Sequence, residues 1–482
     1  MSIEQPISRR EFLKAIGKTG AVVGFGGGLA GLLSGCDETG VSSNTTATIR
    51  PGETTTTTTE STTTTTATTV ATRPTVGRPL RIGLVSAKTG PLALLGKADD
   101  WWVARGLEVL GEGVVCGDGK LRTVGVSVRD SRSDPAVAAR LAADLISGER
   151  VDLIMCSGDS AIVNAVADQA ESLECPCLAD LVLWQSFVNG RGGSADKPFE
   201  WTYAHAYGLE DVVANYLAMW GQPATNKKIG VLLPDDIDGR IWGDATAGVA
   251  ALAAEEGYEC VVPGLYPASS TDFAPQIEEF VKNGCEICFC GMKTSDFLLF
   301  WRQAALQSYR PKIVTVSGGL RFPHSVEVVG SSALNMTGEC LWHPSWPYRD
   351  SLTGKTAQEL VEDYQAKTGD QWTAALAQYA KFEWAIQVFK KVKNISDKRE
   401  VIARVRSARL DTCNGPLDFT RPIAMGGPAM SRRPAQNVYK APVGGAQWVA
   451  GTMFPFEPRM VAGVNQPDLP VAGRVQPMVY QA

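Results

Sequence analysis

The sequence predicts an α/β fold of two lobes, each built on a doubly wound parallel sheet. Three observations carry that prediction. Strand-length apolar runs alternate with helical stretches of about ten to fifteen residues, the pattern of strands joined by crossover helices. The rhythm starts at Leu80, lapses after residue 205 and begins again at Lys228. The chain beyond residue 77 is long enough for two domains of ordinary size.

Leu80-Arg81-Ile82-Gly83-Leu84-Val85 reads as a buried strand, 97–110 as a helix, and 121–128 as a second, alternating strand. Asp134 before Pro135 is a helix start, with a capping side chain and proline at the first helical position. Val137, Leu141 and Leu145 recur every four residues and predict that helix's inward stripe. The next strand is 151–156, Ser160 caps a helix running through Ala170, and 175–183 is another apolar run. In the second round 228–233, 258–265, 285–290 and 313–316 are strands, with helices at 244–256, 273–283 and 294–307. Helical stretches at 355–367 and 373–392 are expected to return to the first lobe.

These elements divide the folded chain into lobe 1 at 78–205, lobe 2 at 206–334, and a return to lobe 1 at 335–410. A last crossover, marked by Pro416-Leu417-Asp418-Phe419, leads into 411–482, assigned to lobe 2. Ligands of open parallel sheets bind beyond the carboxyl ends of the strands, so two such lobes joined by a hinge predict a ligand cleft between them. Closing it would take a ligand out of water and strengthen each polar contact.

The N-terminus carries an address. Ser8-Arg9-Arg10-Glu11-Phe12-Leu13-Lys14 sets the adjacent Arg9 and Arg10 before an apolar stretch, the pattern of a twin-arginine export signal. Residues 21–35 are glycine-rich and uncharged, and shorter than the ~20 apolar residues that span a bilayer. They end in Leu32-Leu33-Ser34-Gly35-Cys36, which resembles a lipoprotein processing site. Residues 1–36 are thus expected to be a signal ending at an acylated Cys36, leaving the chain anchored by lipid to the outer face of the cytoplasmic membrane. The threonine-rich stretch within 37–77 cannot bury enough apolar surface to offset its conformational entropy and reads as a disordered tether. At up to ~3.3 Å per residue it would hold a domain clear of the membrane.

Composition narrows the function. A net charge of −5 and a pI near 5.5 argue against a nucleic-acid partner. Of eleven cysteines, ten lie beyond Cys36, an even number that makes disulfides plausible in an exported protein. Cys175/Cys177 and Cys288/Cys290 fall at i and i+2 of apolar runs, where buried thiols are the simpler reading. The scattered His205, His324 and His343 suggest neither a metal site nor a cofactor. An exported α/β hydrolase, the rival from another class, needs a serine flanked by glycines on a strand-to-helix elbow. Ser157-Gly158-Asp159-Ser160 lacks the first glycine, and no phosphate-binding or dinucleotide glycine loop opens either run. Asp235, Asp236 and Asp238 read as a solvated loop.

The motif series Ile82-Gly83-Leu84-Val85 with Thr89-Gly90-Pro91, Arg129-Asp130-Ser131-Arg132-Ser133-Asp134-Pro135, Cys156-Ser157-Gly158-Asp159-Ser160 and Thr271-Asp272-Phe273 resembles the type I periplasmic binding proteins. It is most similar to the leucine/isoleucine/valine-, amide- and urea-binding receptors of ABC importers. The resemblance implies a monomeric receptor, not an enzyme, with a small-molecule solute and importer permease subunits as partners. A surface sensor or scavenger without a transporter is equally compatible. It also implies that the loop of Ser157, Gly158 and Ser160 holds a ligand carboxylate. Free N–H groups at a helix N-terminus attract anions, and Ser160 could cap the helix as well.

Elsewhere the matching positions depart from an amino-acid receptor. Leu181 to Leu183 replaces a hydroxyl-bearing loop; Gly318-Gly319, with Arg321 near, replaces the acid that holds an ammonium; Lys293 and Trp242 stand at tyrosine positions. An ammonium buried without a partner is costly. The expectation is therefore a ligand with a carboxylate or other acceptors and an apolar or aromatic body. Lys293 or Arg321 would be counter-charges, and Trp242 and Trp184 flat walls. One half of the family's early disulfide is Cys156, but the other corresponds to Ser133, so Cys156 is expected to be free or paired elsewhere, with Cys116 and Cys177 as candidate partners.

Overall fold

A computed structural model describes residues 74–421, 434–464 and 466–480. Arg9, Arg10, Cys36 and nearly all of the threonine-rich tether lie outside the described residues.

Two sheets organise the chain. The first has six strands in the spatial order Val438–Lys440, Thr202–Tyr207, Cys177–Leu183, Leu153–Ser157, Leu80–Ser86, Val124–Asp130, all paired in parallel. In the second, Leu265–Tyr266, Lys228–Pro234, Ile287–Met292, Ile313–Gly318 and Thr337–Cys340 run parallel, and Glu259–Val261 also pairs with Lys228–Pro234. Gly444–Ala450 and Phe456–Ala462 add an antiparallel edge. Strands covered on both faces need apolar side chains at nearly every position. Leu153–Ser157 and Cys177–Leu183 are buried throughout, and Leu80–Ser86 everywhere except Arg81.

Lobe assignments differ from the sequence-based ones in two places. Thr337–Cys340 belongs to the second sheet, through Thr315↔Thr337, so the return after 335 begins only beyond Cys340. Val438–Lys440 pairs with Thr202–Tyr207 in the first sheet, so 411–482 is not wholly lobe 2. Both are strands of three or four residues, and only their hydrogen-bonded neighbours, distant in sequence, reveal which sheet they join. The chain passes from one sheet to the other after Tyr207, after Cys340 and again between Lys440 and Gly444.

Helix Pro135–Ala143 starts as predicted, with Asp134 Oδ1 accepting from Ala136 N at 2.7 Å and Val137 N at 3.0 Å. Its fully buried residues are Ala138 and Ala142, one position round from the half-buried Val137 and Leu141; Leu145 is buried as expected, in a π-type turn at Asp144–Gly148 that buries Ile146 as well. Asp134→Ala should lower stability by about 1 kcal/mol, the usual value of an N-cap. Asp134→Asn should retain most of it, and urea midpoints read both.

All ten cysteines of the described residues are free thiols. Cys156 therefore pairs with neither Cys116 nor Cys177; its sulfur sits 3.9 Å from the Leu178 carbonyl oxygen. Nine of the ten are buried. Burial pushes the Cys175 thiol up to about 11 and Cys340 to about 12. Cys288 and Cys290 lie sulfur to sulfur at 3.7 Å inside the second lobe.

Candidate functional site

The carboxyl ends of the central strands of both sheets converge on one cavity of about 140 Å³. A cavity of roughly 150 Å³ takes up one benzene ring, so there is room for a ring-sized body. Leu92, Leu94, Leu95, Leu181 and Leu183 make the apolar wall on the first sheet's side. Trp242, Met292 and Phe322 face them from the second, and Trp242 is held by Phe289 at 5.1 Å and stacked on Tyr216 at 6.1 Å between ring centroids.

Of the residues singled out from sequence, Ser160, Leu181, Leu183, Trp242, Lys293 and Arg321 line this cleft. Ser157, Gly158 and Gly319 do not. The buried Ser157 Oγ accepts from Lys381 Nζ at 3.1 Å. Gly158 is a packing glycine, since a Cβ there would stand 2.6 Å from Ile162. Gly319 lets two strand ends close up; a Cβ there would lie 2.7 Å from the Met292 carbonyl oxygen. Trp184 is not part of the wall and donates through Nε1 to Glu210 at 3.1 Å.

The charges differ most from expectation. Asp159, not Ser160, caps helix Ser160–Ser172, accepting from Ile162 N at 3.1 Å. Asp236 caps Ile237–Trp242 by accepting from Gly239 N at 2.8 Å. Asp159, Asp236 and Asp238 all line the cleft, and burial raises each carboxyl above its ordinary value. The solvated-loop reading holds for Asp235, which is exposed and pairs with Arg240, and fails for Asp236 and Asp238.

Arg321 is already committed. Its Nε and Nη2 reach Glu339 Oε1 at 2.9 and 2.7 Å, and Nη2 also donates to the Tyr207 hydroxyl at 3.0 Å. Glu339 is held in turn by the Tyr216 hydroxyl and Gly318 N. The Lys293 side chain has no hydrogen bond or ion pair among the described residues, and its charge acts on Asp159 and Asp236. The cleft thus sets three carboxylates against one unengaged cation, not the basic site the sequence suggested. The signal for Asp236 and Asp238 was available: they follow the carboxyl end of a parallel strand, where ligands are expected.

Beneath the first-sheet wall lies a buried charge. Lys381 Nζ, fully out of solvent, is within hydrogen-bond distance of Asp180 Oδ1 (2.7 Å), Gln378 Oε1 (2.8 Å), the Cys156 carbonyl oxygen (2.8 Å) and Ser157 Oγ (3.1 Å). Gln378 donates to the Leu95 carbonyl oxygen. Leu181 follows Asp180 with φ +51°, a left-handed conformation that costs a leucine energy, and strand register shifts between Asp180 and Leu183. The cluster thus anchors two residues of the cleft wall, Leu95 through Gln378 and the strained Leu181 through its neighbour Asp180. Among the described residues no histidine lines the cleft, and His205, buried in its strand, finds no hydrogen-bond partner among them on either ring nitrogen.

Two parallel α/β sheets opposed at their carboxyl ends, with three strand crossings between them, define a two-lobed binding-protein fold of type I. The family model for periplasmic binding proteins matches residues 79–439. The chain belongs to that family. It is 25% identical over 301 residues to Leu/Ile/Val-binding protein homolog 7 of Brucella melitensis, covering 60% of this chain and 71% of the relative. Among solved structures, a leucine-binding protein of Thermotoga maritima superposes with a TM-score of 0.62 at 16% identity, covering 81% of this chain and 99% of the other. A solute-binding protein of an ABC transporter from Rhodopseudomonas palustris, in complex with 4-hydroxybenzoate, gives 0.63 at 18% identity, covering 81% and 98%. The family's role is solute binding, not catalysis.

Proposed function

We propose that the chain is the solute receptor of an ABC importer, exported and anchored through Cys36. Its cleft closes on one small organic solute with an ammonium or similar donor head and an apolar body of about one ring. The observation that carries this reading is the charge balance of the cleft: Asp159, Asp236 and Asp238 around a leucine and tryptophan wall, with Arg321 spent on Glu339. The missing acid at Gly318-Gly319 is made up from another strand end, so an amino-acid-like solute regains a partner for its nitrogen. The likeness to a leucine-binding protein fits that choice.

A second reading, an aromatic carboxylate, is favoured by the unengaged Lys293 and by the relative solved with 4-hydroxybenzoate. Titration calorimetry on leucine, phenylalanine, phenethylamine, 3-phenylpropanoate and 4-hydroxybenzoate separates the two. Solutes with an ammonium should bind about tenfold or more tighter than their deaminated counterparts, a difference of 1.4 kcal/mol. Tight binding of the carboxylates with the amines inert would establish the second reading and overturn the first.

A further inference from the structure

Asp238 belongs to one wall of the cleft and is bonded to the other. It sits on Ile237–Trp242, directly after strand Lys228–Pro234 of the second sheet. Its Oδ1 accepts from Ser160 Oγ at 2.8 Å and from Ser186 Oγ at 2.5 Å. Both serines are carried by helices that follow strands of the first sheet, Ser160–Ser172 after Leu153–Ser157 and Trp184–Val188 after Cys177–Leu183. Both are buried, so neither hydroxyl turns freely to water.

A serine hydroxyl has a single proton to donate. Here both protons go to one carboxylate supplied by the chain itself, at the N-terminal turn of a thirteen-residue helix whose free N–H groups favour an anion. A second carboxylate arriving there would find the donors taken and a like charge in place, with Asp159 beside it. An ammonium would find the opposite.

From this arrangement we infer that Asp238 is a selectivity and closure residue. It fills the first wall's hydroxyl pair with an internal carboxylate, ties the two walls together, and turns the cleft against carboxylate-headed solutes. This rests on the proposed function, because it concerns the same cleft.

The test is calorimetry of the full chain with three probes sharing one body: phenethylamine, phenylalanine and 3-phenylpropanoate. Asp238→Asn keeps the shape and removes the charge. It should weaken phenethylamine at least tenfold and strengthen 3-phenylpropanoate at least tenfold, reversing the wild-type order. Ser186→Ala, which leaves the charge and removes one donor, should weaken every probe severalfold and keep the order. It also serves if the asparagine variant folds poorly. Scattering should show Asp238→Asn more open than the wild type in the absence of solute. If the wild type prefers phenethylamine and Asp238→Asn keeps that preference unchanged, the inference fails and the receptor reading stands. If no probe binds the wild type or either variant, the proposed function fails and takes the inference with it.

Discussion

Lys381→Met should cost the fold about 3–5 kcal/mol, the range for removing one partner of a buried ion pair. Methionine keeps the apolar stem but leaves Asp180 facing Ser157, Gln378 and the Cys156 carbonyl with no positive charge among them. Asp99, fully buried nearby, loses the same stabilising field. The deficit depends on pH in a definite direction. Burial pushes the folded Asp180 carboxyl up to about 6, above its unfolded value near 3.9. A group raised on folding contributes stability below its unfolded value and loses it as pH rises through the folded one. Lys381 opposes that rise, so its removal moves the folded value higher still. Urea midpoints should therefore show the full loss near about pH 8 and a smaller one near about pH 5. Adding Asp180→Asn should recover part of the loss and flatten its pH dependence. A loss within about 1 kcal/mol at both pH values would show that the pair carries little.

Gly239→Ala should damage the cleft more than the fold. A Cβ at Gly239 would stand 1.8 Å from the Pro234 carbonyl oxygen, a backbone atom that no rotamer change can move away. Helix Ile237–Trp242 must then shift from the strand end, carrying Asp238 and Trp242 and breaking the bond from Gly239 N to the Asp236 cap. Overpacking of this kind costs about 1–3 kcal/mol in stability. Affinity for the solute should fall about tenfold or more, because polar groups on one wall lose registry with the other. Gly148→Ala, with nothing within 4 Å of the added carbon, is the control and should change neither.

The sheets were readable because parallel strands covered on both faces must be apolar almost throughout. Leu80–Ser86, Leu153–Ser157 and Ile287–Met292 stand out for that reason alone. Thr337–Cys340 and Val438–Lys440 carry no such run, and their sheet is fixed by neighbours far away in the chain. At the cleft, Ser160, Leu181, Leu183, Trp242, Lys293 and Arg321 were legible from position in the motif series. Their partners were not. Arg321 looks available until Glu339 is brought beside it, and Asp238 looks solvated until Ser160 and Ser186 close over it. Asp159 and Ser160 are both good caps at adjacent positions, so local propensity does not choose between them. Lys381 lies in the run Tyr379-Ala380-Lys381-Phe382-Glu383, whose charges suggest a solvent face. Both charges are buried because their partners, Asp180 for one and the backbone N–H groups of Ser351 and Cys413 for the other, come from elsewhere in the fold.

The central claim, that the cleft between the two sheets holds one small organic solute, is tested most directly by native mass spectrometry of the folded chain purified from the organism that encodes it. One bound small molecule per chain is predicted, retained by the wild type and lost from Gly239→Ala. A chain that carries no solute, or one whose bound molecule persists when Gly239→Ala disrupts the cleft, would contradict the account.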